Sequence, residues 1–402
     1  MNLGAAHLGI DQVEIRRRNM IRLDEMPYTT CLGYEYDPTD YQKILEKALD
    51  VAEYQKFVEA KKNGDHIGVG LAIVTEASSV NTYTGVADPD GVTSSIDFGS
   101  AHVRVDSTGH ATVLLGTASV GTGHMDAVST IIAEQVGIDR SDVEVLEGDT
   151  EQTPYDCGVR ASRFSTIVLP AVLEAAKEVR RRIVRVAARM LEANENDIVL
   201  SNRKVSVKGT PSISLDIREV TRVFYANVDK LPEDIPPTLD VFHTFKPKKK
   251  GPFNTFSQTV HVPVVSLDPE TGQVRILKYV IVEDCGNVVS KEIVDGQLYG
   301  GLAQVIGGVF FEESKYDNDG QLLTSSLVDY LLPSAKEVTA EVKVDHTVTP
   351  SKFPGGFKGM GESSNVCGYA AILNAVNNAI GDSRSELNET DVSPEKLWNS
   401  IH

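Results

Sequence analysis

The feature that most constrains this chain is a glycine-rich run near its C-terminus, Pro354-Gly-Gly-Phe-Lys-Gly-Met-Gly-Glu362. Glycine has no Cβ atom and adopts positive φ at little cost, so the backbone here can pass close to a bulky group. The run ends in a single carboxylate, Glu362, just before a segment with apolar residues at helical spacing, 366–380. The sequence therefore predicts a tight loop that presents Glu362 at the start of a helix, where burial would raise its pKa and make it a base.

The same run also suits a simpler role. Glu362 or Ser363 would then only cap the following helix at the end of a glycine-rich turn. On spacing alone both interpretations stay open, because an isolated glycine-rich loop is a weak signal of function.

A second glycine loop, Gly121-Thr-Gly-His124, precedes apolar residues at helical spacing, 128–136. Unpaired amides and the positive end of a helix form an anion site, so this loop predicts contact with a ligand such as a phosphate. A tight strand-to-helix turn explains the spacing equally well. Further along, Ala161-Ser-Arg163 precedes a long helix, and Ser162 suits either a ligand contact or a helix cap.

Composition limits the classes of partner. The 39 basic and 57 acidic side chains give a net charge of −18, which argues against nucleic acid or an anionic membrane. No apolar run approaches the roughly 20 residues of a membrane span, and no signal peptide is evident, so a cytoplasmic protein is expected. The cysteines are too far apart for an iron–sulfur cluster or a structural zinc site; they are Cys31, Cys157, Cys285 and Cys367.

Periodicity predicts an α/β (α+β) fold with mixed sheets covered by helices. The predicted elements are an amphipathic helix at 40–61, a strand at 68–74, a loop at 78–93, and hairpins at 101–115 and 260–282. The basic run 246–250 marks a predicted boundary. The predicted division is a connecting segment at 1–38, a first α/β subdomain with the cofactor loops at 39–245, and a second with the catalytic glutamate loop at 246–402.

Several runs resemble the molybdenum hydroxylases, the family of xanthine dehydrogenase, aldehyde oxidase, carbon monoxide dehydrogenase and nicotinate dehydrogenase. Gly356-Phe-Lys-Gly-Met-Gly-Glu362 with 371–381 looks like the family's C-terminal signature. Other similar runs follow the family's order, at 4–20, 121–124, 148–163, 294–308 and 329–333. The resemblance spans essentially the whole chain and implies the C-terminal half of the molybdopterin-binding large subunit.

This resemblance implies roles for particular residues. Glu362 matches the family's active-site base, with no protein side chain binding the metal directly. Thr122 stands where the family has a glutamine that contacts the pterin. The residues expected to bind the cofactor are Gly121, Thr122, Gly123, His124, Ala161, Ser162, Arg163, Gln297, Lys358, Gly359 and Gly361.

The implied activity is oxidation of an aldehyde, an N-heterocycle or a similar small substrate, with water as oxygen donor. The implied cofactor is a molybdenum-pterin, as molybdopterin or its dinucleotide form. Iron–sulfur clusters and FAD are expected on partner subunits, because the chain has neither cluster cysteines nor a dinucleotide-binding fingerprint. A separate chain supplying the N-terminal half of the molybdenum subunit is a further expected partner.

Two other interpretations remain open. In the first, the chain is a non-catalytic fragment of such a subunit. In the second, it is a small-ligand or nucleotide-binding module that uses the loops at 121 and 355. The sequence does not select one substrate within the family.

Overall fold

The computed structural model describes residues 1–62, 66–80, 97–248, 253–338, 341–381, 387–390 and 392–402. Most of the loop predicted at 78–93 lies outside these ranges, as do the helix end at 63–64 and the last two lysines of 246–250. The helices are α1 (Asn2–Leu8), α2 (Gln12–Asn19), α3 (Tyr41–Ala52), α4 (Tyr54–Lys62), α5 (His124–Val136), α6 (Leu169–Met190), α7 (Ile217–Thr221), α8 (Val223–Ala226), α9 (Lys291–Phe310), α10 (Ser363–Ile380) and α11 (Pro394–Ile401). The strands are β1 (Ile67–Val69), β2 (Ala72–Val80), β3 (Gly99–Val105), β4 (Ala111–Leu115), β5 (Val143–Glu147), β6 (Ile198–Ser201), β7 (Lys204–Val207), β8 (Thr210–Asp216), β9 (Asp240–Phe245), β10 (Phe253–Leu267), β11 (Val274–Asp284) and β12 (Glu341–His346).

The largest sheet is built on the long antiparallel hairpin of β10 and β11. Strands β1 and β2 pair antiparallel with β10, and β12 adds parallel to β11. Residues 254–265 of β10 are all buried, because α3 covers one face of the sheet and α10 the other. The strand nevertheless departs from the continuous apolar run that is typical of a strand covered on both faces, because its buried residues include Asn254, Thr255, Ser257, Gln258 and Thr259.

A second sheet has the strand order β5-β4-β3-β9 and is covered by α5 and α6. A small third sheet, β6-β7-β8, lies beside it. Several arginines on the outer side of α6 form ion pairs, for example Arg181 with Glu178 and Arg185 with Asp234. None of the described helices is long and apolar enough to cross a membrane.

The predicted fold class, mixed sheets packed with helices, is confirmed, and so are both predicted hairpins. The helix predicted at 40–61 is wrong as one element: α3 ends where Glu53 adopts φ 55°, and α4 begins at the next residue. The strand predicted at 68–74 is two strands, β1 and β2. Although both lie inside the predicted subdomain 39–245, they pair with β10, so the larger sheet crosses the predicted boundary at 246.

The glycine-rich loop joins the two sheet systems. Phe357 packs into the apolar core around α5 and α6, whereas Met360 packs into the core of the larger sheet. The loop is also fixed by backbone hydrogen bonds to the end of β11, from Lys358 N to Cys285 O at 2.9 Å and from Asn287 N to Gly356 O at 3.0 Å. Glu362 is therefore held at the junction of both cores.

Candidate active site

Loops from both sheet systems converge on a cavity of about 300 Å³. Its wall combines apolar side chains, such as Val288 and Ile293, with a few polar groups. A mostly apolar cavity with few polar groups is typical of a small-molecule or cofactor site. Predicted site residues that line it are Thr122, Ala161, Ser162, Arg163, Gln297, Lys358, Gly361 and Glu362.

Glu362 lies at the rim of this cavity, directly before α10. Ser162 Oγ donates a hydrogen bond to Glu362 Oε2 at 2.9 Å, which joins residues 200 positions apart in the chain. The predicted burial of Glu362 is wrong for this chain, because the residue is exposed. Its side chain makes no capping hydrogen bond to α10 either, so the structure does not support the simpler role as a helix cap.

The loop that carries Ser162 has an unusual backbone. Ala161 and Ser162 both adopt left-handed conformations, with φ 47° and φ 49°. Such conformations cost about 1–3 kcal/mol each for residues other than glycine and are typical of functional sites. Ser79 N donates to Ala161 O at 2.7 Å and helps to hold the loop. Ser162 does not cap the helix that follows, because its hydroxyl is bound to Glu362.

Gly359 lies directly beneath this loop. A Cβ atom at Gly359 would stand 1.8 Å from the carbonyl oxygen of Ser162, a distance at which the backbone would have to move. The glycine thus allows the two loops to approach, and its direct contact with the cofactor stays a prediction.

The second glycine loop contributes Thr122 to the wall of the same cavity. Gly121 and Gly123 have φ 84° and φ 72°, and α5 begins at His124 as expected. Gln297 Nε2, on α9, donates to Gly121 O at 3.5 Å. The structure therefore brings Gln297 and this loop together, although they are far apart in the sequence.

His124 faces the protein interior. Its ring is buried against Phe164, with ring centroids 3.6 Å apart. His124 Nδ1 is 2.9 Å from Glu147 Oε2, and its Nε2 is 2.8 Å from Thr122 Oγ1. The histidine supports the loop from behind, and a direct contact with the cofactor stays a prediction.

Two cations predicted to bind the cofactor are buried in ion pairs. Arg163 donates to Asp97 Oδ1 and to Asp156 Oδ1, both at 2.8 Å. Lys358 Nζ is 3.7 Å from Asp284 Oδ1. A buried charge needs such partners to offset its lost hydration. Both side chains therefore stabilise the loops around the cavity, and their direct role at a cofactor stays a prediction.

Two buried carboxyls behind Glu362 were not predicted from the sequence. The pKa of Glu76 is raised to about 8, chiefly by burial; the hydroxyl of Ser162 lowers it and the nearby charge of Glu362 raises it. Burial, and then the proximity of Glu76, hold the pKa of Glu283 well above its usual range. The only sequence signal for Glu76 was its position among the apolar and small residues of β2, and no motif marks it.

Comparison with known proteins identifies the family. Residues 44–339 match the model of the molybdopterin cofactor-binding domain. The chain belongs to this family. The resemblance to molybdenum hydroxylases that the sequence indicated is thereby confirmed, and so is the expected molybdopterin cofactor.

Relatives of this molybdopterin-binding chain are large subunits. It is 35% identical over 398 residues to the nicotine 6-hydroxylase large subunit of Paenarthrobacter nicotinovorans, with 98% of this chain and 48% of that protein covered. It is 32% identical to the carbon monoxide dehydrogenase large chain of Hydrogenophaga pseudoflava, with 99% and 49% covered. Quinoline 2-oxidoreductase of Pseudomonas putida 86 has a similar structure, with a TM-score of 0.85, 34% identity and coverage of 99% and 50%. The chain thus spans about half the length of these proteins.

The backbone and the polar side chains around the cavity fit a pterin cofactor. Among the described residues, no atom lies within 4 Å of a Cβ built at Gly121, so a ligand can approach this backbone closely. The hydroxyls of Thr122 and Ser162 and the amide of Gln297 offer both donors and acceptors around the cavity. These residues would hold the polar edges of the cofactor.

Proposed function

We propose that this chain is the cofactor-binding portion of a molybdenum-dependent hydroxylase or dehydrogenase. It would oxidise an aldehyde, an N-heterocycle or a similar small molecule with water as oxygen donor. The observation that carries the proposal is the Ser162–Glu362 pair at the rim of a cavity that also contains Thr122 and Gln297. When bound, the molybdenum-pterin cofactor supplies a redox-active metal that takes up two electrons from the substrate.

The proposed role of Glu362 is that of a general base. Ser162 holds Glu362 Oε2, which restricts the rotation of the carboxylate and leaves Oε1 to accept a proton. A base already oriented in this way loses little entropy when the substrate arrives. The junction of two packed cores beneath the loop makes this orientation rigid.

Partner chains belong to the same proposal. Because the relatives are about twice as long, a further polypeptide segment would complete the site. Iron–sulfur and flavin subunits would carry the electrons away, as the family resemblance implies. The segment 311–338, between α9 and β12, would be a surface that a partner chain covers. Its side chains Leu327, Val328 and Leu332 are exposed by 78%, 84% and 58%. Clustered exposed apolar side chains are typical of protein interfaces.

Substitution of the base tests the activity. The complex would be assayed with nicotine and quinoline as probe substrates and a dye as electron acceptor, and molybdenum would be measured in each preparation. Glu362→Gln is expected to lower turnover by about 10²- to 10⁴-fold without loss of molybdenum, because the amide cannot accept the proton. The exposed Glu233 provides a matched control, Glu233→Gln, which should leave turnover unchanged.

Full turnover by a molybdenum-loaded Glu362→Gln enzyme would contradict the proposed base. Complexes that bind no molybdenum at all would favour a non-catalytic fragment. Measurable binding of ATP to such metal-free protein would instead favour a nucleotide-binding module.

A further inference from the structure

A second carboxyl lies next to the Ser162–Glu362 pair, on the side away from the solvent. Glu76 is on β2, opposite Ser257 of β10, and only 5% of it is exposed. Neither of its carboxyl oxygens has a hydrogen-bond partner in the described part of the chain. The polar groups that act on it are the hydroxyl of Ser162 and the backbone amide of Glu362.

The charges around Glu76 are all acidic. Glu362 faces it from the glycine-rich loop, and Glu283 faces it from β11 on the far side of β10. No cation is among the groups that act on it in the described ranges. A buried carboxyl in such surroundings avoids ionisation, because neither water nor a positive charge stabilises the anion.

Protonation decides what Glu76 can do. A neutral carboxylic acid donates a hydrogen bond, whereas a carboxylate only accepts. Ser162 has a single proton. If Glu76 donates a hydrogen bond to Ser162, the hydroxyl proton of Ser162 is free to be donated to Glu362. If Glu76 is ionised, the carboxylates of Glu76 and Glu362 compete for that proton.

We propose that Glu76 is a positioning residue for the base, donating in its acid form to Ser162 Oγ so that Ser162 donates to Glu362. The inference rests on the proposed function of Glu362. In this structure neither carboxyl oxygen of Glu76 forms a hydrogen bond with the described residues, so the proposed bond to Ser162 belongs to the assembled enzyme. Ionisation of Glu76 then releases Glu362 from its fixed orientation.

Infrared spectroscopy of the purified complex tests this inference without turnover. The wild type should show a C=O stretching band of a protonated carboxyl that loses intensity as the pH passes about 8. Glu76→Gln should remove this band. Ser162→Ala should shift its frequency upward, because the acid loses its hydrogen-bond acceptor. Glu283→Gln should leave the titrating band of Glu76 in place.

Kinetics provide a second measurement. Glu76→Gln keeps a neutral donor at every pH, so it should retain kcat near neutral pH and extend activity to higher pH than the wild type. Glu76→Leu, which has similar volume but no donor, should lower kcat by about 10- to 100-fold, as expected for the loss of a hydrogen bond to a charged pair.

The inference is overturned if no titrating carboxyl band disappears in Glu76→Gln, or if Ser162→Ala leaves the band unshifted. It is also overturned if the glutamine and leucine variants have the same kcat near neutral pH. Since the infrared result needs no catalysis, failure of this inference is distinguishable from failure of Glu362 as the base.

Discussion

At the scale of single residues, the site depends on one close approach between two loops. Ser162 adopts a left-handed conformation and reaches Glu362, and Gly359 is the residue that makes room for it. The orientation of the proposed base is therefore set by a backbone contact rather than by a local motif.

Substitution of Gly359 tests this contact. A Cβ at Gly359 would meet Ser162 O at 1.8 Å, whereas a Cβ at Gly361 would meet Ser162 Oγ at an ordinary 3.7 Å. Gly359→Ala is expected to lower the free energy of unfolding by about 1–3 kcal/mol, as overpacking does. Gly361→Ala should change it much less. Urea unfolding of both variants provides the measurement, and equal losses would contradict the role given to Gly359.

Glu76 predicts a dependence of stability on pH. Its pKa is raised from 4.5 to about 8 in the folded chain, so folding favours the protonated form. Its stabilising contribution is complete below pH 4.5 and is lost as the pH rises through about 8. The neutral variant Glu76→Gln should therefore gain stability relative to wild type between about pH 5 and about pH 8, by on the order of 2–4 kcal/mol.

Urea unfolding at both pH values measures this gain. The exposed Glu233 again provides the control, since Glu233→Gln should show no such change. A stability difference between Glu76→Gln and wild type that stays constant with pH would contradict the assignment.

At the scale of elements, α9 and α10 approach closely where glycines replace larger side chains. A Cβ at Gly301 of α9 would stand 2.6 Å from Ser364 Cβ of α10, but one at Gly300 would meet no neighbouring atom within 4 Å in the described part of the chain. Because Glu362 directly precedes α10, this contact also sets the position of the proposed base.

These adjacent glycines form a matched pair. Gly301→Ala should destabilise the chain by about 1–3 kcal/mol through overpacking. Gly300→Ala, at an exposed position in the same helix, should stabilise it by up to about 1 kcal/mol through higher helix propensity. Thermal unfolding measures both effects, and the same sign for the two variants would contradict the packing described.

Local periodicity was sufficient to predict the hairpins and most helices, because each is specified by neighbouring residues. It missed the break at Glu53, since neither glycine nor proline marks it. It also could not predict that β2 pairs with β10, a contact between distant segments. Because that pairing places Glu76 behind Ser162, nothing in the sequence indicated that Glu76 lies near the site.

For a related reason, the sequence predicted which residues lie at the site better than it predicted their contacts. Motif resemblance located Glu362, Ser162 and Gln297, and the structure brings them to one cavity. A motif does not show where a side chain points. Arg163 and Lys358 were expected at the cofactor, but their charges are paired with buried aspartates.

At the scale of the whole molecule, we expect the exposed apolar side chains of the segment 311–338 to contact the proposed partner chain. Replacing Leu327 and Val328 together by serine should weaken association with the completing polypeptide, because both side chains would lose apolar contacts. Ile213, exposed by 49% on β8, offers a control, Ile213→Ser. Size-exclusion chromatography of the mixed chains measures the association. Unchanged binding by the double variant would contradict this interface.

The central claim is that this chain contributes part of a molybdopterin site. Its most direct test is the molybdenum and pterin content of the chain, produced alone and together with its completing polypeptide in a host that makes the cofactor. We predict stoichiometric molybdenum and pterin in the assembled complex and little in the chain alone. An assembled, folded complex that contains neither would contradict the account.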